Sequence, residues 1–196
     1  MPKNRLEAFA DGIFAFAATL LILNLAVIET KPLGGELLRI WPSYAAYALS
    51  FTTIGIIWIN HHLVMHQVAR VDRTFLVLNI FFLMVIAFIP FPTRLLALGI
   101  DTRDATAAAL AYGVTLTLTA IFFNALWRYA AWGRRLIRED ADERVVSGIS
   151  RSYVPGPLIY FAATVVALVN PWVSAALYVL IGLFYVLESS VFGRSR

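Results

Sequence analysis

Apolar runs alternate with short polar stretches along the chain, and six of them read as membrane spans: residues 6–28, 41–65, 74–98, 105–131, 153–169 and 171–188. A helix needs about 20 apolar residues to cross the hydrocarbon of a bilayer. The first run is too long for a signal peptide and no small-residue cleavage site follows it; "AVIETKPLGG" (26–35) ends it as a loop. The last two spans come from one stretch, residues 153–188, which is too long for a single crossing. Asn170-Pro171 is a turn signal inside it, so the stretch reads as two short helices rather than one broken one. The pattern predicts an all-α integral membrane protein with a single six-span domain.

Composition agrees. The chain is 60% hydrophobic and 14% charged, against about 25% charged residues in a soluble domain. It has no cysteine, which removes disulfides and thiolate metal sites. Six spans would put Lys3, Arg5, Arg70, Arg73, Arg128, Arg134, Arg135, Arg138, Arg144, Arg151, Arg194 and Arg196 on one side, and Lys31, Arg39, Arg94 and Arg103 on the other. Basic residues concentrate in cytoplasmic loops, so both termini are expected in the cytoplasm of a multi-pass cell-membrane protein. Residues 132–148, "WGRRLIREDADERVVSG", form the one sizeable polar stretch, a cytoplasmic segment read as a surface helix, serving as linker or regulator. No internal repeat suggests pseudo-symmetric transporter architecture.

This topology brings polar residues from three helices to one depth. Asp11 lies near the cytoplasmic end of the first span, "WINHHLVMHQ" closes the second with Trp58, Asn60, His61 and His62, and Asn79 lies about a turn into the third. With Arg5 they form a candidate cytoplasmic polar network. Polar groups of this kind fasten helices to one another in membranes, and pairing of Asp11 with Arg5 or a histidine would remove most of the cost of its burial. Adjacent histidines point about 100° apart on a helix, and one carboxylate is the only acidic neighbour, so no metal site is expected. The serines lack a Gly-x-Ser-x-Gly context, and no nucleophile–base set is present; an enzyme is not expected. Glu7 lies at the cytoplasmic mouth or is a solvated interfacial residue.

Along the first helix, positions 5, 9, 12, 16, 19, 20 and 23 share a face reading Arg, Phe, Gly, Phe, Thr, Leu, Leu. Asp11, Ala15, Ala18 and Ile22 lie on the neighbouring face. Periodicity alone leaves the Phe/Leu stripe as lipid contact or core. Three motifs go further. Arg5, Phe9, Ala10, Asp11 and Gly12 resemble the Arg-x-x-x-Phe-Ser-Asp-Gly motif of the transmembrane protein 175 family, the endolysosomal potassium channels of animals and their bacterial relatives. "WINHHLVMHQ" resembles that family's second helix, and "NIFFLMVIAFIPFPT" (79–93) its third.

The resemblance implies a potassium-selective channel in which four chains form a homotetramer around a central pore lined by the first helices. Apolar rings would constrict it at Phe16, Leu20 and Leu23, with Thr19 as a hydroxyl layer. No cofactor is implied; potassium is the permeant ion, and the partners are three further copies and membrane lipid, not nucleic acid. Two departures bear on function: Ala10 replaces the motif's serine, and Phe16 stands where the family has isoleucine or leucine. A proton-permeable or non-selective cation pathway through Asp11, His61 and His62 is the alternative reading.

Overall fold

The computed structural model describes residues 2–26 and 33–192, without the side chains of residues 186–192. Lys31, Arg194, Arg196, residues 27 and 28 of the first expected span, and most of the loop after it lie outside the described residues. The described chain is helical: α1 (Lys3–Leu20), continued by a 3-10 turn (Leu21–Asn24), then α2 (Leu33–Arg39), α3 (Trp41–Gln67), α4 (Arg73–Phe88), α5 (Pro90–Gly99), α6 (Ala105–Ala131), α7 (Glu143–Tyr153), α8 (Gly156–Val166) and α9 (Pro171–Phe192). Four helical stretches among the described residues are long and apolar enough to cross a membrane: Lys3–Asn24, Trp41–Gln67, Arg73–Gly99 and Ala105–Arg134.

The helix limits follow from local chemistry. Asp72 caps α4 by accepting from the Phe75 amide at 2.9 Å, and Asp142 caps α7 by accepting from the Arg144 amide at 2.8 Å. Asn170 Oδ1 accepts from the amides of Trp172 and Val173 and starts α9, with Pro171 at its first position. The third span divides into α4 and α5 at Pro90, whose missing N–H interrupts the helical ladder, although Ile89 keeps helical dihedrals. The fifth expected span, 153–169, shrinks to the 11-residue α8, because Val154 and Pro155 separate it from α7. In the expected surface helix 132–148 only residues from Glu143 onward are regular. Gly133 (φ 59°) and Arg134 (φ 54°) instead turn the chain sharply after α6. The left-handed conformation costs Arg134 roughly 1 kcal/mol, and its guanidinium offsets this by donating to the carbonyls of Arg138 and Ala141.

That turn lets residues 67–69 pair with 136–138 as a short antiparallel bridge: the Ala69 amide donates to Leu136 O at 2.8 Å and the Arg138 amide to Gln67 O at 2.9 Å. Lys3 Nζ donates to Val68 O at 3.0 Å. The start of α1, the α3–α4 connection and the end of α6 therefore meet at one end of the bundle. At the other end Asn24 Nδ2 donates to Pro90 O, and Trp41 stacks on Trp172 with ring centroids 6.1 Å apart.

The core lies between α1, α3, α4 and α6, around Phe14, Phe75, Phe82, Ile86, Leu126 and Trp127. A second apolar cluster joins α5, α6, α8 and α9 around Tyr112, Leu116 and Tyr178. There Gly113 is required: a Cβ on it would overlap the Tyr178 hydroxyl and the Thr164 side chain. Thr93 Oγ1 donates to Ser50 Oγ at 2.7 Å, and Ser50 Oγ is 3.0 Å from the Tyr112 hydroxyl, so one hydroxyl chain ties α3, α5 and α6 together.

Candidate functional site

Helix α1 has two unlike faces. Leu6, Ala10, Phe14, Ala17 and Leu21 recur at steps of three and four and are buried against the bundle, where α1 packs on α3 and α4. Alanine at positions 10 and 17, both 0% exposed, lets the neighbouring backbones come close. The opposite stripe is uncovered. Arg5, Phe9, Gly12, Phe16, Thr19 and Leu23 lie along it, with Phe16 62% and Leu23 71% exposed. Thr19 Oγ1 donates to Phe16 O at 2.9 Å. Its hydrogen is thus spent on the helix, while the oxygen lone pairs stay available.

Two positions depart from the expected face. Leu20 is only half-buried and lies at the margin of the stripe, whereas Ile22, expected on the neighbouring face, is exposed. Asp11 and Ala15 on that neighbouring face are exposed as well, so the open side of α1 is broader than the single stripe, and the 3-10 turn after Leu20 brings Ile22 further toward it. A 3-10 turn advances about 120° per residue against about 100° in an α-helix, so Ile22, two residues into it, swings roughly 40° toward the open stripe.

The expected polar network resolves into separate parts. Trp58 Nε1 donates to Asp11 Oδ1 at 2.8 Å on the exposed side of the α1–α3 contact. His61 is buried, with Nε2 2.9 Å from Asn79 Oδ1; the tautomer that carries its proton on Nε2 donates to that oxygen. The imidazole stacks on Phe82 (centroids 5.6 Å, planes 9° apart) and meets Phe14 at 5.6 Å. Asn79 is fully buried, and its Nδ2 has no partner among the described residues.

The remaining candidates point elsewhere. Arg5 is exposed and its side chain makes no hydrogen bond or ion pair among the described residues, so it is not the buried partner of Asp11; at its position on α1 it faces away from α3 and α4. His62 is exposed, about a helical step from His61, with its ring 6.4 Å from Trp58. Asn60 is buried but turns away from α1, lining a cavity of about 60 Å³ with Thr119, Asn124 and Tyr160. Glu7 pairs with Lys3 at 3.6 Å. Among the described residues no group of three or more His, Cys, Asp or Glu is placed to hold a metal ion. The aromatic rings of Phe14 and Phe82 around His61 were not expected from sequence; the signal was Phe82, one helical turn beyond Asn79.

Comparison with known proteins fits this geometry. The model of the family described as endosomal/lysosomal potassium channel TMEM175 matches residues 5–90, the segment holding α1, α3 and α4. A potassium channel of Chamaesiphon minutus is 39% identical over 192 residues, covering 95% of each chain. The crystal structure of a lysosomal potassium-selective channel TMEM175 homolog from Chamaesiphon minutus superposes with a TM-score of 0.88 at 36% identity, covering 95% of this chain and 97% of that one. The endosomal/lysosomal proton channel TMEM175 of Gallus gallus is 32% identical over 150 residues, and there the match spans only 29% of the longer protein. Identity at this level across nearly the full length of a relative establishes that the chain belongs to the TMEM175 family of ion channels.

Proposed function

We propose that the chain is a potassium-selective channel that assembles as a homotetramer, with α1 of each copy turned toward a central pore. The observation that carries this reading is the uncovered stripe of α1. A helix with one face packed and the opposite face apolar, exposed and interrupted by Thr19 is what a pore-lining element requires. Exposed apolar side chains also lie on the outer faces of α4, α5, α8 and α9, where lipid covers them; the stripe of α1 differs in carrying Gly12 and Thr19, and four such stripes facing one axis would line a pore. The bacterial relative identical at 39% and named a potassium channel supports the ion.

Selectivity in such a pore cannot rest on a carbonyl filter, since no Thr-Val-Gly-Tyr-Gly segment occurs. Rings of Phe16 and Leu23, with Leu20 at their margin, force an entering ion to shed water, and potassium sheds it at lower cost than sodium. The same rings gate by dewetting. The Thr19 oxygens offer lone pairs to the partly stripped ion. Asp11, held by Trp58, orients α1 against α3 and adds negative charge near the stripe.

The orientation follows from charge. Basic residues gather at the end of the bundle where α1 begins and α6 ends, which favours a cytoplasmic location for that end and for both termini in a bacterial plasma membrane. The stacking of Trp41 on Trp172 supports six crossings, because it sets the start of α9 beside the start of α3. On the cysteine-free background, a cysteine at Ser147 labels from the cytoplasm and one at Thr102 from outside. Labelling of both from one side excludes six spans.

Potassium flux into proteoliposomes, with sodium and proton flux measured in parallel, tests the function. Potassium entry that exceeds sodium entry, by a ratio that falls in Leu23→Ala, sustains the reading; equal entry of all cations rejects it. A proton pathway is the second reading. It is favoured by the vertebrate relatives named proton channels and by the His61–Asn79 contact buried beside α1.

A further inference from the structure

A groove opens on the outside of the bundle where α4, α6 and the end of α7 converge. It has a volume of about 650 Å³ and is lined by Leu78, Ala125, Trp127 and Val154 together with Arg128 and Trp132. Its floor is fixed: Trp127 is 1% exposed and donates its indole N–H to Ser150 Oγ at 2.9 Å, tying α6 to α7. Its mouth is not closed by protein. Trp132 is 81% exposed at the end of α6, where an amphipathic ring suits the level of lipid headgroups.

Only some of the basic residues at this end of the molecule are paired, and of the unpaired ones Arg128 is the one that lines the groove. Arg134 pairs with Glu143 at 3.6 Å, Arg135 with Asp72 at 3.8 Å, and Arg138 with Asp140 at 2.6 Å. Arg128 is exposed and has no partner among the described residues, and no acidic residue lines the groove. A second outer groove, about 560 Å³ along Met84, Phe88, Phe91, Leu110, Val114 and Leu118, carries no charged residue. One groove is therefore built for any hydrocarbon chain, and the other for a chain that ends in a negative group.

We propose that the groove between α4, α6 and α7 binds an anionic phospholipid. One acyl chain lies along Leu78, Ala125 and Val154, the headgroup phosphate meets the Arg128 guanidinium, and Trp132 lies beside it at the interface. Anionic lipid and a juxtamembrane cation attract one another at this depth, and the planar guanidinium suits phosphate oxygens bidentately. The inference rests on the membrane-spanning reading above but not on potassium selectivity. It is tested in detergent, where neither leaflet nor ion matters.

Native mass spectrometry of the intact protein, titrated with phosphatidylglycerol and with phosphatidylcholine of the same chains, reads it directly. The wild type retains more phosphatidylglycerol. Arg128→Gln weakens that preference about fivefold, the effect expected for one juxtamembrane charge, and Arg128→Lys restores most of it. Arg144→Gln, which removes an equally exposed charge outside the groove, leaves it unchanged. Ala125→Trp, which fills the groove, lowers retention of both lipids without altering the elution of the assembled protein. Equal retention of the two lipids by the wild type, or equal losses in Arg128→Gln and Arg144→Gln, overturns the proposal. So does competition by glycerol phosphate at concentrations similar to the lipid, since the acyl chain would then contribute nothing.

Discussion

Trp58 donates its indole N–H to Asp11 Oδ1 at 2.8 Å, so the carboxylate of α1 is held by α3 and not by Arg5. Asp11→Asn keeps the acceptor oxygen and should cost less than about 1 kcal/mol, whereas Asp11→Ala should cost about 1.5 kcal/mol, the lower end for a hydrogen bond to a charged group. Trp58→Phe should match Asp11→Ala, and the double variant should lose little more than either alone. Thermal unfolding of the detergent-solubilised protein measures all of these. Additive losses would mean that the two side chains act independently.

The uncovered stripe of α1 predicts how flux responds to side-chain bulk. Phe16→Ala should raise total cation flux, Phe16→Ile should keep potassium preference, and Leu23→Ala should admit sodium more readily. Ile22 is half exposed and should give an intermediate response. The appropriate silent control is Leu21, 0% exposed on the packed face, where Leu21→Met should alter stability by about 1 kcal/mol or less and leave ion preference unchanged. Liposome flux with mixed cations decides between the two faces.

The His61–Asn79 contact is shut inside the bundle, so removing one partner strands the other. His61→Phe should destabilise by about 1–3 kcal/mol through the orphaned Asn79 oxygen. His61→Phe combined with Asn79→Leu should be less damaging than the sum of the two single changes, because no polar group is then left unpaired. Denaturation midpoints of the three variants provide the cycle; strict additivity would exclude the contact.

Asp72 gives the basic end a defined acid limit. The Phe75 amide, and after it the Tyr129 hydroxyl, hold its carboxyl below the usual carboxylate range. A carboxyl whose folded pKa is depressed stabilises the fold above its unfolded pKa of about 3.9 and loses that contribution as pH falls through the lowered folded value. Asp72→Ala should therefore lower stability by about 1 kcal/mol at pH 7, the usual cost of a lost N-cap. The difference from wild type should vanish in strong acid. A gap between the two proteins that does not change from pH 7 to pH 2 would contradict this account.

Hydrophobic run length was enough to find the four long spans, because membrane crossing is a requirement on summed apolarity rather than on contacts. It was not enough to set their ends. Pro90 split the third span and Pro155 shortened the fifth through effects on backbone hydrogen bonding that an apolar count does not register. The packed and open sides of α1 were legible from 3.6-residue spacing, but the width of the open side was not: Asp11 and Ala15 are exposed beside the stripe, and the 3-10 turn brings Ile22 toward it. Depth placed Asp11, Trp58, His61 and Asn79 in one layer, but depth says nothing of direction around an axis. Asn60, one residue before His61, consequently turned to a different cavity, and Arg5 turned outward. Gly113 was silent in the sequence, since only the approach of Tyr178 gives its missing side chain a purpose.

Gly12 leaves open space where other residues would carry a Cβ, with no neighbouring atom within 4 Å, and it lies one helical turn below Phe16 on the same stripe. Side chains on a helix lean toward its N-terminus, so the free space beside Gly12 lies on the side toward which the Phe16 side chain can swing. The aperture of the ring then depends on rotation about the first two side-chain bonds of Phe16, a movement of picoseconds to nanoseconds for an exposed side chain. The backbone of α1, anchored along its other face by Leu6, Phe14 and Leu21, need not move. In the proposed pore Phe16 would be a swinging shutter with Gly12 as its recess, and throughput would be set by how often the shutter lies folded back.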